Sequence, residues 1–260
     1  MAQIKLAEVE QWQNSDAEIL QAVLRGTYHS FADIMGYELE KNIIVSNRLG
    51  EDPPMIFYPQ DTVEDRENYR IALNIPDASD VGEIMYQFSH EVGHAYCQYY
   101  KAPVHKQKWF EEALCEAIAM SNLNNIYYHW QELGFADDPR VNILCEEPLR
   151  WLHENLHEVP KDLSTANILE FINTCLPVFE IKSITKIWDL ENKNRLRAVA
   201  YYLCANLFYY DAQRWKAVKY FNDWDAAADK NFADFIKNWV RHGDDNVRLV
   251  VATLGFLVDM

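Results

Sequence analysis

The sequence predicts an α+β protein on three observations. Helical apolar periodicity starts near residue 16 and returns after Pro76, three short β-type runs lie between those segments, and no strand signal of comparable strength follows Ile126. With 260 residues and 49% hydrophobic content, the chain can bury one substantial core or two layers sharing an interface.

The first helix is expected after Ser15, whose spacing to Glu18 makes a capping box, with Ile19, Leu20, Val23, Leu24, Tyr28, Phe31 and Met35 at helical spacing as far as Gly36. The β-type runs are 42–46, 55–58 and 69–75, separated by turns containing Gly50, Pro53, Pro54 and Pro59, and they predict one small three-stranded sheet. A second capping box, Asp80 with Glu83, opens a long helix with Ile84, Met85, Phe88, Val92, Ala95 and Tyr99 on its apolar face. After a loop with Pro103, a further helix is expected over 109–122, stopped by Asn122, Asn124 and Asn125. Residues 126–260 read as helices broken near 134–139, Pro148, Pro160, Pro177 and Gly243. A composition shift near residue 125 divides the expectation into a mixed part, 1–125, and an all-helical domain or lobe, 126–260.

Acids outnumber bases 40 to 24, a net charge of −16, which argues against general affinity for phosphate backbones or anionic membranes. No apolar run reaches the roughly 20 residues that span a bilayer, and the amino terminus has no signal-peptide pattern. The five cysteines are odd in number and form no Cys-x-x-Cys pair. The expectation is a cytoplasmic protein that binds neither nucleic acid nor membrane.

The chemistry lies in Ser89-His-Glu-Val-Gly-His-Ala95. Histidines four apart on a helix project from one face, so His90 and His94 can grip one metal ion. Neutral imidazoles and a carboxylate suit zinc, and a catalytic site takes three protein ligands with one position left for water. The pentapeptide arises by chance in roughly one chain in fifty of this composition, so its surroundings decide. The following helix supplies carboxylates in Trp109-Phe-Glu-Glu-Ala-Leu-Cys-Glu116, and helical phase alone leaves Glu111 and Glu112 both open as the third ligand.

His90-Glu-Val-Gly-His94 followed by Trp109-Phe-Glu-Glu112 resembles the gluzincin branch of the zincin metallopeptidases, in which a Trp-x-x-Glu helix carries the third zinc ligand. The resemblance covers roughly residues 16–122. It implies a zincin-like core of helix, small sheet, His-Glu-x-x-His helix and ligand helix, with one zinc held by His90, His94 and Glu112 and with Glu91 as the catalytic base. It also implies that Glu116 is the acid that hydrogen-bonds a zinc-bound histidine, and that the 71–75 run is the sheet-edge strand against which extended substrates lie. Ala113 stands where the family usually has Gly, and the Gly-x-Met-Glu-Asn pattern of the aminopeptidases is absent. An oxyanion-stabilising Tyr or His is not placed by the resemblance, which leaves Tyr201, Tyr202 and His242 open.

Plainer readings apply elsewhere. Cys97 and Cys115 read as small core residues, His105, His153 and His157 as ordinary histidines, and the paired tyrosines at 99–100, 127–128, 201–202 and 209–210 as packing between helices. The expected function is zinc-dependent hydrolysis of peptide bonds in a peptide or protein substrate. The alternative is a zincin-fold protein-binding module with little or no catalysis.

Overall fold

In the computed structural model, residues 2–12, 15–48, 50, 52–59, 66–98, 101, 105–156, 163–164, 166–185 and 189–256 are described. They form an α+β fold whose carboxyl-terminal part is helical. Its first helix, α1 (Ala17–Met35), starts one residue later than the capping pattern suggests, because Asp16 is the cap: its carboxylate accepts from the backbone N–H of Glu18 and Ile19. The hydroxyl of Ser15 instead donates to the carbonyl of Ala78. Leu20, Val23, Leu24, Tyr28, Phe31 and Met35 are buried along one face, as the periodicity requires.

The sheet contains the three expected strands as β2 (Asn42–Asn47), β3 (Met55–Phe57) and β4 (Asn68–Leu73), and one unexpected strand, β1 (Ile4–Leu6). The order is β1-β2-β4-β3. Strand β2 runs parallel to β1 and to β4, with Val45 opposite both Leu6 and Ile71, while β3 runs antiparallel to β4, with Ile56 opposite Ile71. This corrects the reading of the 71–75 run as a sheet edge: β4 is paired on both sides, and among the described residues β1 and β3 are the edge strands.

Helix α2 (Val81–Cys97) is capped by Asp80, whose side chain accepts from the N–H of Glu83 at 3.1 Å. Ile84, Met85, Phe88, Val92 and Ala95 are at most 2% exposed, and burying each of the larger ones contributes about 1.5–3 kcal/mol. The Gln87 side chain accepts from the N–H of Asn74 and donates to its carbonyl, at 2.9 and 3.0 Å. One side-chain amide thereby fixes α2 to the chain leaving β4.

Helix α3 (Lys108–Tyr128) runs past the asparagines expected to stop it. Asn122 is fully buried, accepts from Ser30 Oγ at 2.6 Å, and donates to Ser89 Oγ at 2.9 Å and to the Thr27 carbonyl at 3.3 Å. A side chain satisfied by tertiary partners no longer competes for its own backbone, so the helix continues.

After short helices α4 (Pro139–Asn142) and α5 (Glu147–Asn155) come α6 (Ile168–Thr185), α7 (Leu190–Leu203), α8 (Phe232–His242) and α9 (Asp245–Thr253). Pro177, expected to break the chain, lies inside α6. A π-helical turn, Cys204–Phe208, follows α7, and a 3-10 helix occupies Ala212–Tyr220.

By packing, the residues fall into two compact units, 1–95 with 122–156 and 96–121 with 157–260. The first holds the sheet, α1 and most of α2. The second has an aromatic core in which the ring of Phe110 lies 5.3 Å from that of Phe232 and 5.6 Å from that of Trp239. Of the tyrosines expected to pack between helices, Tyr202 is buried, but Tyr128, Tyr209 and Tyr210 are exposed; 99–100 lie outside the described residues. Among the described residues, no helix is long and apolar enough to cross a membrane.

Candidate metal centre

Helix α2 carries His90, Glu91 and His94 in its second half. The Nε2 atoms of His90 and His94 converge to 3.2 Å, their rings nearly perpendicular at 71°. Zinc–nitrogen bonds of 2.0–2.1 Å at tetrahedral angles place neighbouring ligand atoms roughly 3.3 Å apart, so this spacing, which also suits a hydrogen bond between the two rings, can accommodate a shared ion. The backbone at His94 is held by the Tyr58 hydroxyl, which donates to the His94 carbonyl at 3.1 Å. The ring of Tyr86 flanks His90 at 6.5 Å and stacks on Trp151, 3.9 Å away. The Trp151 indole N–H in turn donates to Glu83 on the first turn of α2.

Glu112 on α3 is the third member of the group. One ligand atom from each of His90, His94 and Glu112 lies within 4.8 Å of the others, a set positioned to hold a metal ion. The donors are two imidazole nitrogens and one carboxylate oxygen, which suits zinc and leaves room in a tetrahedral shell for a fourth ligand. His94 is buried, and His90 and Glu112 are partly exposed.

Glu111, left open beside Glu112 by helical phase, has a different setting. It is fully buried, and its Oε2 receives Lys108 Nζ at 2.6 Å and Asn222 Nδ2 at 3.0 Å. Lys108 is itself only 5% exposed and donates to Asn222 Oδ1 at 3.2 Å. The ion pair occupies Glu111, while its neighbour joins the histidines.

Glu91 is 5% exposed, next to His90 on the same helix. Glu116, one turn beyond Glu112, is also buried, and its Oε1 accepts from Arg197 Nε on α7 at 2.7 Å. The Tyr202 hydroxyl donates to the Thr253 carbonyl at 2.9 Å, and His242 stacks on Trp224 with its Nδ1 2.8 Å from the Asn238 carbonyl. Cys97 and Cys115 are fully buried with their sulfurs 3.9 Å apart, and burial is the main cause that holds the Cys115 thiol well above the usual range.

His105 is 4% exposed and neutral down to a pKa of about 4, mainly because burial disfavours the cation and secondarily because Lys108 repels it. Its Nδ1 accepts from the N–H of Gln107 at 3.2 Å and its ring stacks on Phe235 at 5.7 Å, a packing role. His153 is exposed, and His157 lies outside the described residues.

Sequence reasoning missed the Lys108–Glu111–Asn222 network. Lys108 and Glu111 stand three apart, a spacing that signals an ion pair, but it does not reveal their burial or the third partner. Comparison with models of protein families, with curated proteins and with solved structures returned no match.

Proposed function

We propose that this chain is a zinc-dependent metallopeptidase of the gluzincin type, with zinc held by His90, His94 and Glu112 and with Glu91 as general base. The observation that carries the reading is the convergence of His90, His94 and Glu112, with a carboxylate residue placed directly after the first histidine. Zinc bound by such a set lowers the pKa of a water to about 7 and polarises a carbonyl oxygen, the two requirements for attacking an amide.

In this reading Glu91 takes the proton from the attacking water and returns it to the departing amine. By the gluzincin resemblance Glu116, which Arg197 holds at 2.7 Å, is the acid assigned to orient a ligand imidazole so that its metal-facing nitrogen carries the lone pair. The edge strand β3 offers main-chain groups to an extended peptide. Tyr58, the residue after β3, contacts the His94 backbone, so such a peptide would lie near the metal. Five free cysteines accord with a reducing compartment, and the cytoplasm is the proposed one.

Digestion of a mixed peptide library, read by mass spectrometry, tests the activity. Metal-loaded wild type should cleave in a chelator-sensitive way, and Glu91→Gln should keep its metal while losing at least about 100-fold in rate. Metal-loaded protein that cleaves nothing, or a Glu91→Gln variant as active as wild type, overturns the peptidase reading and leaves a metal-bearing protein-binding module in its place.

A further inference from the structure

We infer that Asn222, which lies beyond both metal-site helices in sequence, is a positioning residue that fixes the ends of α2 and α3 on which the metal ligands stand. The inference rests on the metal-centre reading and adds to it a residue that no local pattern marks.

Asn222 sits in the turn after the 3-10 helix Ala212–Tyr220 and is 3% exposed. Its Nδ2 donates to the carbonyl of Cys97 at 2.8 Å and to Oε2 of Glu111 at 3.0 Å, and its Oδ1 accepts from Lys108 Nζ at 3.2 Å. Cys97 is the last residue of α2, where carbonyls lack an intrahelical partner, so this bond supplies what the helix end needs. Cys97 is three residues past His94, and Glu111 immediately precedes Glu112. One side chain thus touches the end of the histidine helix and the first turn of the carboxylate helix.

The chemistry selects an amide. Two N–H donors and one acceptor on a single short side chain match a carbonyl, a carboxylate and an ammonium together. An aspartate would offer no donor and would set a second negative charge beside Glu111, whereas an alanine would leave three buried polar groups short of a partner. Successive residues on a helix point about 100° apart, so holding Glu111 in its pocket also fixes the direction in which Glu112 leaves α3. Groups hydrogen-bonded directly to metal ligands typically account for about 10–100-fold in metal affinity, and Asn222, which acts through Cys97 and Glu111, is expected at the lower end.

The test measures zinc affinity by competition with a chromophoric chelator, the visible spectrum of the cobalt(II)-loaded protein, and urea unfolding of the metal-free protein. Wild type, Asn222→Ala, Asn222→Ser and Val250→Ala are compared. Val250, fully buried on α9, serves as a core truncation with no part in the network. Asn222→Ala should bind zinc about 10-fold more weakly than wild type and shift the cobalt bands. Val250→Ala should unfold more easily yet keep the wild-type affinity and spectrum. Asn222→Ser, which retains one donor, is held to the same comparison should the alanine variant not fold, with an intermediate loss expected. Wild-type affinity and spectrum in the folded Asn222 variants overturn the inference alone. So does a Val250→Ala variant that loses metal to the same degree. Failure of wild type to bind zinc or cobalt removes the metal-centre reading and this inference together.

Discussion

The adjacent glutamates Glu111 and Glu112 are expected to fail in opposite ways when each is replaced by glutamine. Glu111 has a side chain with no exposure, paired at 2.6 Å with a Lys108 whose side chain is 6% exposed. Glu111→Gln leaves that ammonium buried against a neutral amide, and an uncompensated buried charge costs about 3–5 kcal/mol. The glutamine oxygen can still accept from Asn222, and Lys108 keeps its bond to Asn222 Oδ1, so the lower end, about 3 kcal/mol, applies. Glu112 is partly exposed, so in the metal-free protein its replacement should cost less than that of the fully buried Glu111.

Metal affinity should divide the other way. Losing a direct ligand should weaken zinc by at least about 100-fold, whereas loosening Glu111 should cost about 10-fold through the displaced start of α3. Urea unfolding of the metal-free proteins and chelator competition separate the two effects. A Glu112→Gln variant as unstable as Glu111→Gln, or a Glu111→Gln variant that loses metal as completely as Glu112→Gln, would refute the assignment of the two side chains.

Further outcomes follow from the same structure. Asn122→Ala should destabilise the protein by about 2–3 kcal/mol in urea unfolding, because it strips partners from Ser30, Ser89 and the Thr27 carbonyl inside the core; a change under about 0.5 kcal/mol would contradict the network. Stability should also depend on His105, whose folded pKa of about 4 lies below the ordinary 6.5. Between those values the unfolded chain takes up a proton that the folded one refuses, so stability falls as pH drops through that window, by about 3 kcal/mol in all. Lys108 and Glu111 are the charged groups acting on it. His105→Phe should flatten that part of the profile, and parallel profiles for the variant and wild type would dismiss the effect.

What could be read in the sequence was local. The i, i+4 pair of His90 and His94, the apolar face of α2 and the β-type runs of β2 to β4 depend on spacings of a few residues, and each recurs in the structure. What could not be read depended on partners far along the chain. Asn122 reads as a helix stop until Ser30 and Ser89 are seen to bond it. Strand β1 has only three residues, too few for an alternating pattern, and is defined by its pairing with β2. Whether β4 is an edge depends on where β3 docks. The choice between Glu111 and Glu112 depends on Lys108 and on Asn222, more than a hundred residues away. Pro177 reads as a break in a helix, yet α6 continues through it.

A metal ion at His90, His94 and Glu112 is tested most directly by elemental mass spectrometry of the purified protein, alongside His94→Ala and Glu112→Ala. About one zinc per wild-type chain is expected, lost or much reduced in both variants. Wild type that carries no metal and takes up none at micromolar zinc, or variants that retain the wild-type content, would contradict it.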